Sequence, residues 1–204
     1  MTRPVPKTFY QTHKPRLRRR IARELRAARR VVEVGCGNCD LAGLLAQDDH
    51  REVIGIDIRD GSFPEEPDAA GHRRCVKADA RSLDFLSRGT IDAVVSVWAL
   101  HELAAPMAVL REARRILRPG GEILIVDFPR GSLAQRLWNE KYYTTGEVAD
   151  MLKRAGFARV EARRVARRQL TWARAFKATT RRREGETAHA VGQSGHVHRM
   201  RNVR

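Results

Sequence analysis

The chain has 204 residues, 42% of them hydrophobic and 31% charged, which is enough for one domain with a buried core and excludes disorder throughout. Three cysteines are too few, and odd in number, for a disulfide-stapled miniprotein, and no apolar run approaches the roughly 20 residues of a membrane-crossing helix. The formal net charge of +16 sits at the ends: residues 1–30 carry eleven Lys/Arg against the single acid Glu24, residues 178–204 carry six Arg against two acids, and residues 31–177 retain only +2.

Two readings of these basic ends stand side by side. They grip something anionic, such as RNA, DNA or an acidic surface. Or they are the solvated ends of an Arg-biased protein, since only six of the forty basic residues are Lys. The Arg-rich start also resembles an organellar transit peptide in composition, but residues 16–29 have a structural use of their own. No apolar h-region follows the N-terminal charge, so a cytoplasmic protein without a signal peptide or transmembrane segment is expected.

Pro4, Pro6 and Pro15 mark residues 1–15 as an extended arm. Leu17, Ile21, Leu25 and Ala28 then form one helical stripe with Arg around the rest. The run VVEVG at 31–35 reads as a buried strand, 40–47 as a helix with Asp40 near its start, and 51–58 as a second strand. Residues 59–71 are loop-like, 75–79 a third strand, 83–86 a short helix, and 91–100 a fourth strand running into a loop. An amphipathic helix at 107–117 is followed by a turn at Arg118-Pro119-Gly120-Gly121 and a fifth strand at 121–128. Thr144 caps a helix over 144–157, with Glu147 in its first turn and Gly156 as its stop. Residues 158–166 and 169–178 read as a closing antiparallel hairpin. The expected fold is α/β: a Rossmann-like, mainly parallel seven-stranded sheet with helices on both faces and a C-terminal antiparallel strand. The expected divisions are a basic arm and helix over 1–30, the domain over 31–178, and a basic disordered tail over 179–204.

Ligands of such sheets bind beyond the carboxyl ends of the strands. Strand one ends in Glu33-Val34-Gly35-Cys36-Gly37-Asn38-Cys39-Asp40, where Gly35 and Gly37 permit a tight turn and a close backbone approach. Asp57, twenty residues past Gly37, ends strand two and suits both hydroxyls of a ribose. Asp79 ends strand three and suits an adenine amino group. Glu33 and Asp40 would repel a pyrophosphate, so the site favours a nucleoside bearing positive charge. Cys36 and Cys39 form a C-x-x-C at a helix start, which elsewhere is a redox or metal pair. Only Cys75 remains as a further thiol, so a four-ligand zinc site is not supported and no metal is expected.

The segments EVGCGNC, VIGIDI, KADA, IDAVVSVWALHEL and LRPGGEILIVDF together resemble the class I S-adenosylmethionine-dependent methyltransferases, within a subgroup similar to the ubiquinone/menaquinone-biosynthesis enzymes. The resemblance covers roughly residues 31–178. It implies S-adenosyl-L-methionine as cofactor, with Glu33 and the Gly35–Gly37 backbone at its methionine end. It further implies Asp57 on the ribose, Ile58 against the adenine, Asp79 on the adenine amino group with Ala80 as a backbone donor, and Ser96 and Val97 lining the methyl exit. One departure is Cys39, where the family usually has a third Gly.

For catalysis, His101 and Glu102 follow strand four, and a His there suits a general base. Trp98 suits a pocket wall or the core. Trp138, Tyr142 and Tyr143 suit a lid, and Tyr10 and His13 suit a fold-over from the arm. Tail residues His189, His196 and His198 read as solvated. Residues 96–99 are Ser-Val-Trp-Ala, which lacks the N/D-P-P-Y/F pattern of exocyclic-amine nucleic-acid methylation, a nucleophilic Cys, and an Asp of the ribose-methylating type. A small-molecule acceptor offering O, N or S is therefore expected. A nucleic-acid- or ribosome-associated methyltransferase using the basic termini is the alternative, and a C-x-x-C redox protein a further one.

Overall fold

In the computed structural model, which describes residues 8–65 and 70–179, the apolar runs form one sheet. Its strands are β1 (Arg30–Val34), β2 (Glu52–Asp57), β3 (Arg73–Lys77), β4 (Ile91–Val97), β5 (Leu117–Asp127), β6 (Ala158–Val165) and β7 (Leu170–Phe176), in the order β3-β2-β1-β4-β5-β7-β6. The first five run parallel, and β7 lies antiparallel between β5 and β6. The helices are α1 (Thr8–Glu24), α2 (Asp40–Leu45), α3 (Pro106–Ile116), α4 (Leu133–Trp138) and α5 (Thr145–Arg154).

The period of two in the central strands builds a core on each face. Val31, Val53, Ala93, Val95, Leu124 and Val126 join the layer containing Leu17 and Ile21 of α1, Leu25 just beyond its end, and Leu41, Ala42 and Leu45 of α2. Val32, Val34, Ile56, Val94, Ile123 and Ile125 join the opposite layer, with Val109, Leu110 and Ile116 of α3 and Val148 and Leu152 of α5. Connections leave β1 in opposite directions along the sheet, towards β2 and β4. That reversal opens a crevice at the carboxyl ends of these strands.

Four details differ from the sequence reading. The extended arm ends earlier, because α1 begins at Thr8 and carries Pro15 within it. Lys14 and Arg18, one turn apart across that proline, both reach Asp40 Oδ2, at 3.4 and 2.7 Å, which ties the early turns to α2. Residues 83–86 form a turn closed by the Leu86 N–H on the Leu83 carbonyl (2.8 Å), four residues being too few to recover helix nucleation. The Arg118–Gly121 segment is the irregular start of β5 rather than a free turn. There the Gly120 N–H donates to the Lys177 carbonyl and the Lys177 N–H to that of Gly121, at 2.9 and 2.8 Å. A short 3-10 turn (Leu100–Glu102) and α4 have no counterpart in the sequence reading, each being below the length at which periodicity shows.

The capping box of α5 forms: Thr144 Oγ1 accepts from the Glu147 N–H (3.1 Å), and Glu147 Oε2 accepts from the Thr144 N–H (2.6 Å). The helix itself stops at Arg154, ahead of Gly156 at φ +89°. The expected tail beyond Thr179, the Tyr10 side chain, and His189, His196 and His198 lie outside the described residues.

Candidate active site

The loop after β1 is shaped by its glycines. Gly35 has φ +71°, and a Cβ there would overlap that of Ala99, so the loop lies directly against the exit of β4. The N–H groups of Gly35 and Cys36 donate to the Ile56 carbonyl at 2.8 and 3.1 Å. Gly37, at φ +54°, has open space above it and donates its N–H to Asp57 Oδ2 (2.9 Å).

Cys39 adopts φ +57° as the residue capping α2, which explains why the resembled family prefers Gly there. Its side chain is accommodated by a glycine on the next strand: a Cβ at Gly55 would stand 2.8 Å from Cys39 Sγ and 3.1 Å from Cys36 Sγ. Cys39 is disulfide-bonded to Cys75 of β3, with Cα atoms 6.5 Å apart. Cys36 is the free thiol, 3.3 Å from Cys39 Sγ. Burial, and then the nearby carboxylates of Glu33 and Asp57, push the Cys36 thiol up to about 12. This departs from the redox expectation, which needs a C-x-x-C paired with itself and a lowered thiol pKa.

A cavity of about 530 Å³ opens at the crevice. Its wall includes Glu33, Gly35, Gly37, Asp57, Ile58, Asp79, Ala80 and Val97, so eight of the nine residues expected to hold the cofactor meet in one place. Ser96 is the ninth. It lies buried behind the wall, and its Oγ has no hydrogen-bond partner among the described residues.

Glu33, 3% exposed, accepts the Ala42 N–H on Oε2 at 2.9 Å. Burial outweighs that hydrogen bond and pushes its carboxyl up to about 8. At neutral pH Glu33 is therefore mostly protonated in the folded chain and ionised in the unfolded one. Its contribution to stability is full below the ordinary value of 4.5 and is lost as pH rises through about 8. Glu33→Gln keeps the shape and an acceptor for Ala42. It is expected to flatten the decline of folding stability across that interval, read from urea unfolding at successive pH values; an unchanged pH slope would show that Glu33 is not the titrating group.

Asp57 also accepts the Arg59 N–H on Oδ1 (3.1 Å). Asp79 is gripped by Arg81 through Nε (2.9 Å) and Nη2 (2.6 Å), which holds its carboxyl below the ordinary range. An adenine amino group would share Asp79 with that guanidinium. Ile58, 64% exposed, offers the cavity a flat apolar flank. A buried acid facing a cationic amine, an open glycine loop, and carboxylates spaced for ribose and adenine fit S-adenosylmethionine.

Of the three catalytic candidates, Glu102 lines the cavity, whereas His101, its side chain 4% exposed, and the buried Tyr142 are not on its wall. His101 Nδ1 is 2.7 Å from Asp127 Oδ1, and the His101 backbone N–H donates to Asp127 Oδ2 (2.9 Å). On the other side Nε2 is 3.2 Å from Glu140 Oε2, which also accepts the Tyr142 hydroxyl (2.8 Å). Burial works against the imidazolium, but the Asp127 hydrogen bond and the charges of Asp127, Glu102 and Glu140 outweigh it, and the His101 pKa is raised. The His101 and Tyr142 rings are 4.6 Å apart, and Trp98, at φ +58°, stacks on Phe128 with centroids at 5.5 Å. Asp127 was missed in the sequence. Its signal was available, since it ends the apolar run of strand five just as Asp57 ends strand two.

A family model described as a methyltransferase domain matches residues 32–125. The 27-O-demethylrifamycin SV methyltransferase of Amycolatopsis mediterranei (strain S699) is 33% identical over 111 residues, covering 51% of this chain and 40% of that protein. The ubiquinone/menaquinone biosynthesis C-methyltransferase UbiE of Syntrophotalea carbinolica is 28% identical over 109 residues, covering 51% of this chain and 46% of that one. The chain thus spans less than half the length of these curated relatives. The [4+2]-cyclase SpnF superposes with a TM-score of 0.70 at 17% identity, covering 83% of this chain and 84% of that one, which is a likeness of fold alone. Strand order, glycine loop and matched domain together define a Rossmann-like methyltransferase fold. The matched domain and these relatives support a class I S-adenosylmethionine-dependent methyltransferase, the quinone-biosynthesis enzymes being one group of relatives among several.

Proposed function

We propose that the chain transfers a methyl group from S-adenosylmethionine to an O, N or S atom of a small-molecule acceptor. The observation that carries this reading is the continuity of the cavity: one space joins Glu33, Asp57 and Asp79 to Trp98, Glu102 and Leu103 at the exit of β4. S-adenosylmethionine supplies a methyl group activated by a sulfonium. The chain's part is to align the acceptor and exclude water. In this reading Glu33 faces the ammonium, Asp57 the ribose, and Ile58, Asp79 and Ala80 the adenine, while Val97 lines the methyl side with Ser96 supporting it from behind. His101, held by Asp127, takes the acceptor's proton once Glu140 moves off Nε2. Glu102 borders the acceptor, and Tyr142 carries the segment that closes over it. The name of the rifamycin relative specifies a small organic acceptor, and that of the quinone relative a C-methyltransferase of ubiquinone/menaquinone biosynthesis, which favours a small-molecule acceptor here.

A second reading rests on Arg16, Arg19, Arg23 and Arg26, which form an exposed ridge along and just beyond α1 with the spacing of successive turns. That ridge suits the phosphates of an RNA. Labelled S-adenosylmethionine separates the two. The first predicts label entering phenols, amines or thiols with little dependence on salt. Label entering RNA instead, with transfer falling steeply between low and moderate salt, would overturn the small-molecule assignment. Among the described residues no helix is long and apolar enough to cross a membrane, and no cluster of three or more His, Cys, Asp or Glu is arranged for a metal ion.

A further inference from the structure

Three sulfurs meet beneath the glycine loop. Cys39, which caps α2, is bonded to Cys75 of β3, and the free thiol of Cys36 touches Cys39 Sγ at 3.3 Å. Gly55 makes room for them: it is the register partner of Cys75 on β2, and a Cβ there would meet the sulfurs of Cys39 and Cys36. The bond spans 36 residues and ties together two walls of the crevice. Gly37 and Asn38, just before Cys39, line the cavity on the loop side, and Ala78 and Asp79, just after β3, line it on the other.

We propose that the Cys39–Cys75 disulfide is a reversible redox clasp across this crevice, opened by a dithiol reductant that enters at Cys75 and closed again by a disulfide oxidant. Its effect on the cofactor rests on the reading of this cavity as the S-adenosylmethionine site. Cys75 is the point of entry because β3 is an edge strand and Cys75 is half-buried, whereas Cys39 is fully buried. A thiolate of the reductant attacks Cys75 Sγ, the S–S bond breaks, and its electron pair leaves on Cys39 Sγ, which takes up a proton. The reductant's second thiolate then attacks its own sulfur in the mixed disulfide and releases Cys75, which is protonated in turn. Two electrons pass to the clasp, and the dithiol ends as a disulfide. Cys36 stays out of this exchange despite its contact with Cys39. The thiolate is the attacking form, and burial with the charges of Glu33 and Asp57 keeps Cys36 protonated. While the clasp is closed, Cys39 is held at φ +57°, a conformation unfavourable for a residue with a side chain. Once it opens, the loop relaxes from that conformation and has to be ordered again each time the cofactor binds.

The test compares the full chain in oxidised glutathione and in dithiothreitol by three measurements. Alkylation in denaturant followed by peptide mass mapping should find Cys36 alone modified in the first buffer, with Cys39 joined to Cys75, and all three thiols modified in the second. The melting temperature should fall by about 10 °C on reduction, as the release of a loop of this length implies. Calorimetry with S-adenosylhomocysteine should show affinity about 5- to 10-fold weaker in dithiothreitol. Cys75→Ser should behave in both buffers like the reduced wild type, and Cys39→Gly, which removes the sulfur and the backbone strain together, should be equally insensitive to dithiothreitol. Three alkylated thiols in oxidised glutathione, or a bond between Cys36 and Cys39, would overturn the clasp. So would a mapped Cys39–Cys75 bond whose reduction moves neither melting nor affinity. A chain that binds S-adenosylhomocysteine in neither buffer would overturn the effect on affinity together with the cofactor site, while mapping and melting, which involve no ligand, judge the clasp by itself.

Discussion

Asp57→Ala is expected to weaken S-adenosylhomocysteine binding by more than about 100-fold while leaving the fold intact. The size follows from two losses at once. A ribose bound through its hydroxyls makes charge-assisted hydrogen bonds to this carboxylate, each worth about 1.5–3 kcal/mol. The same side chain also holds the loop, since Oδ2 accepts the Gly37 N–H at 2.9 Å. Without that bond Gly37, already at φ +54°, is free to turn its N–H elsewhere, and the cradle for the methionine end loosens as well. Asp57→Asn divides the two effects. It preserves one oxygen for Gly37 but surrenders the charge, so an intermediate loss of about 10-fold is expected. Asp57 is only partly buried at the last position of β2, so thermal unfolding should move little. Calorimetry on the two variants decides the matter: an Asp57→Ala chain that binds like the wild type would remove Asp57 from the site.

The sequence made the architecture readable because β1, β2, β4 and the later part of β5 are β-branched runs with buried residues on both faces, separated from one another by helices or turn-rich loops. The order of the acids was readable for the same reason. A residue ending such a run sits at the carboxyl edge of the sheet, and Glu33, Asp57 and Asp79 meet there. What escaped depends on contacts distant in sequence. Pro15 argued for an extended arm, but the ties from Lys14 and Arg18 to Asp40, 26 and 22 residues away, keep the chain helical through it. Leu83 and Leu86 looked like one face of a helix; they are buried, yet by a turn. The C-x-x-C motif looked self-sufficient, but Gly55 and Cys75 of neighbouring strands decide where its thiols lie. No local pattern announces that Lys14 and Arg18 of α1 reach the cavity wall, because a basic stripe reads alike in solvent and over a site.

The catalytic proposal makes a demand on pH. His101 must be neutral to accept a proton, and Asp127 raises its pKa above the ordinary 6.5. The rate, kcat/KM, should therefore climb with pH through an inflection above that value and level off beyond it. Asp127→Asn removes the charge 2.7 Å from Nδ1. Burial, which opposes the imidazolium, is then less strongly resisted, and the inflection should move down. The ring also loses the partner that fixes its tautomer, so the plateau rate should fall about 10- to 100-fold, while His101→Ala should cost about 100-fold or more. Stability runs the other way. A His with a raised folded-state pKa stabilises the chain fully below its unfolded value and loses that contribution as pH rises through the folded value, so the pH at which catalysis is fastest is one at which this pair no longer adds stability. Cofactor affinity is the discriminating readout, since a base acts on the transfer step alone. His101→Ala should bind S-adenosylhomocysteine like the wild type. A variant that loses cofactor binding and rate together, with a flat pH profile in the wild type, would make the His101–Asp127 pair a strut beneath the cavity rather than the residue that takes the proton.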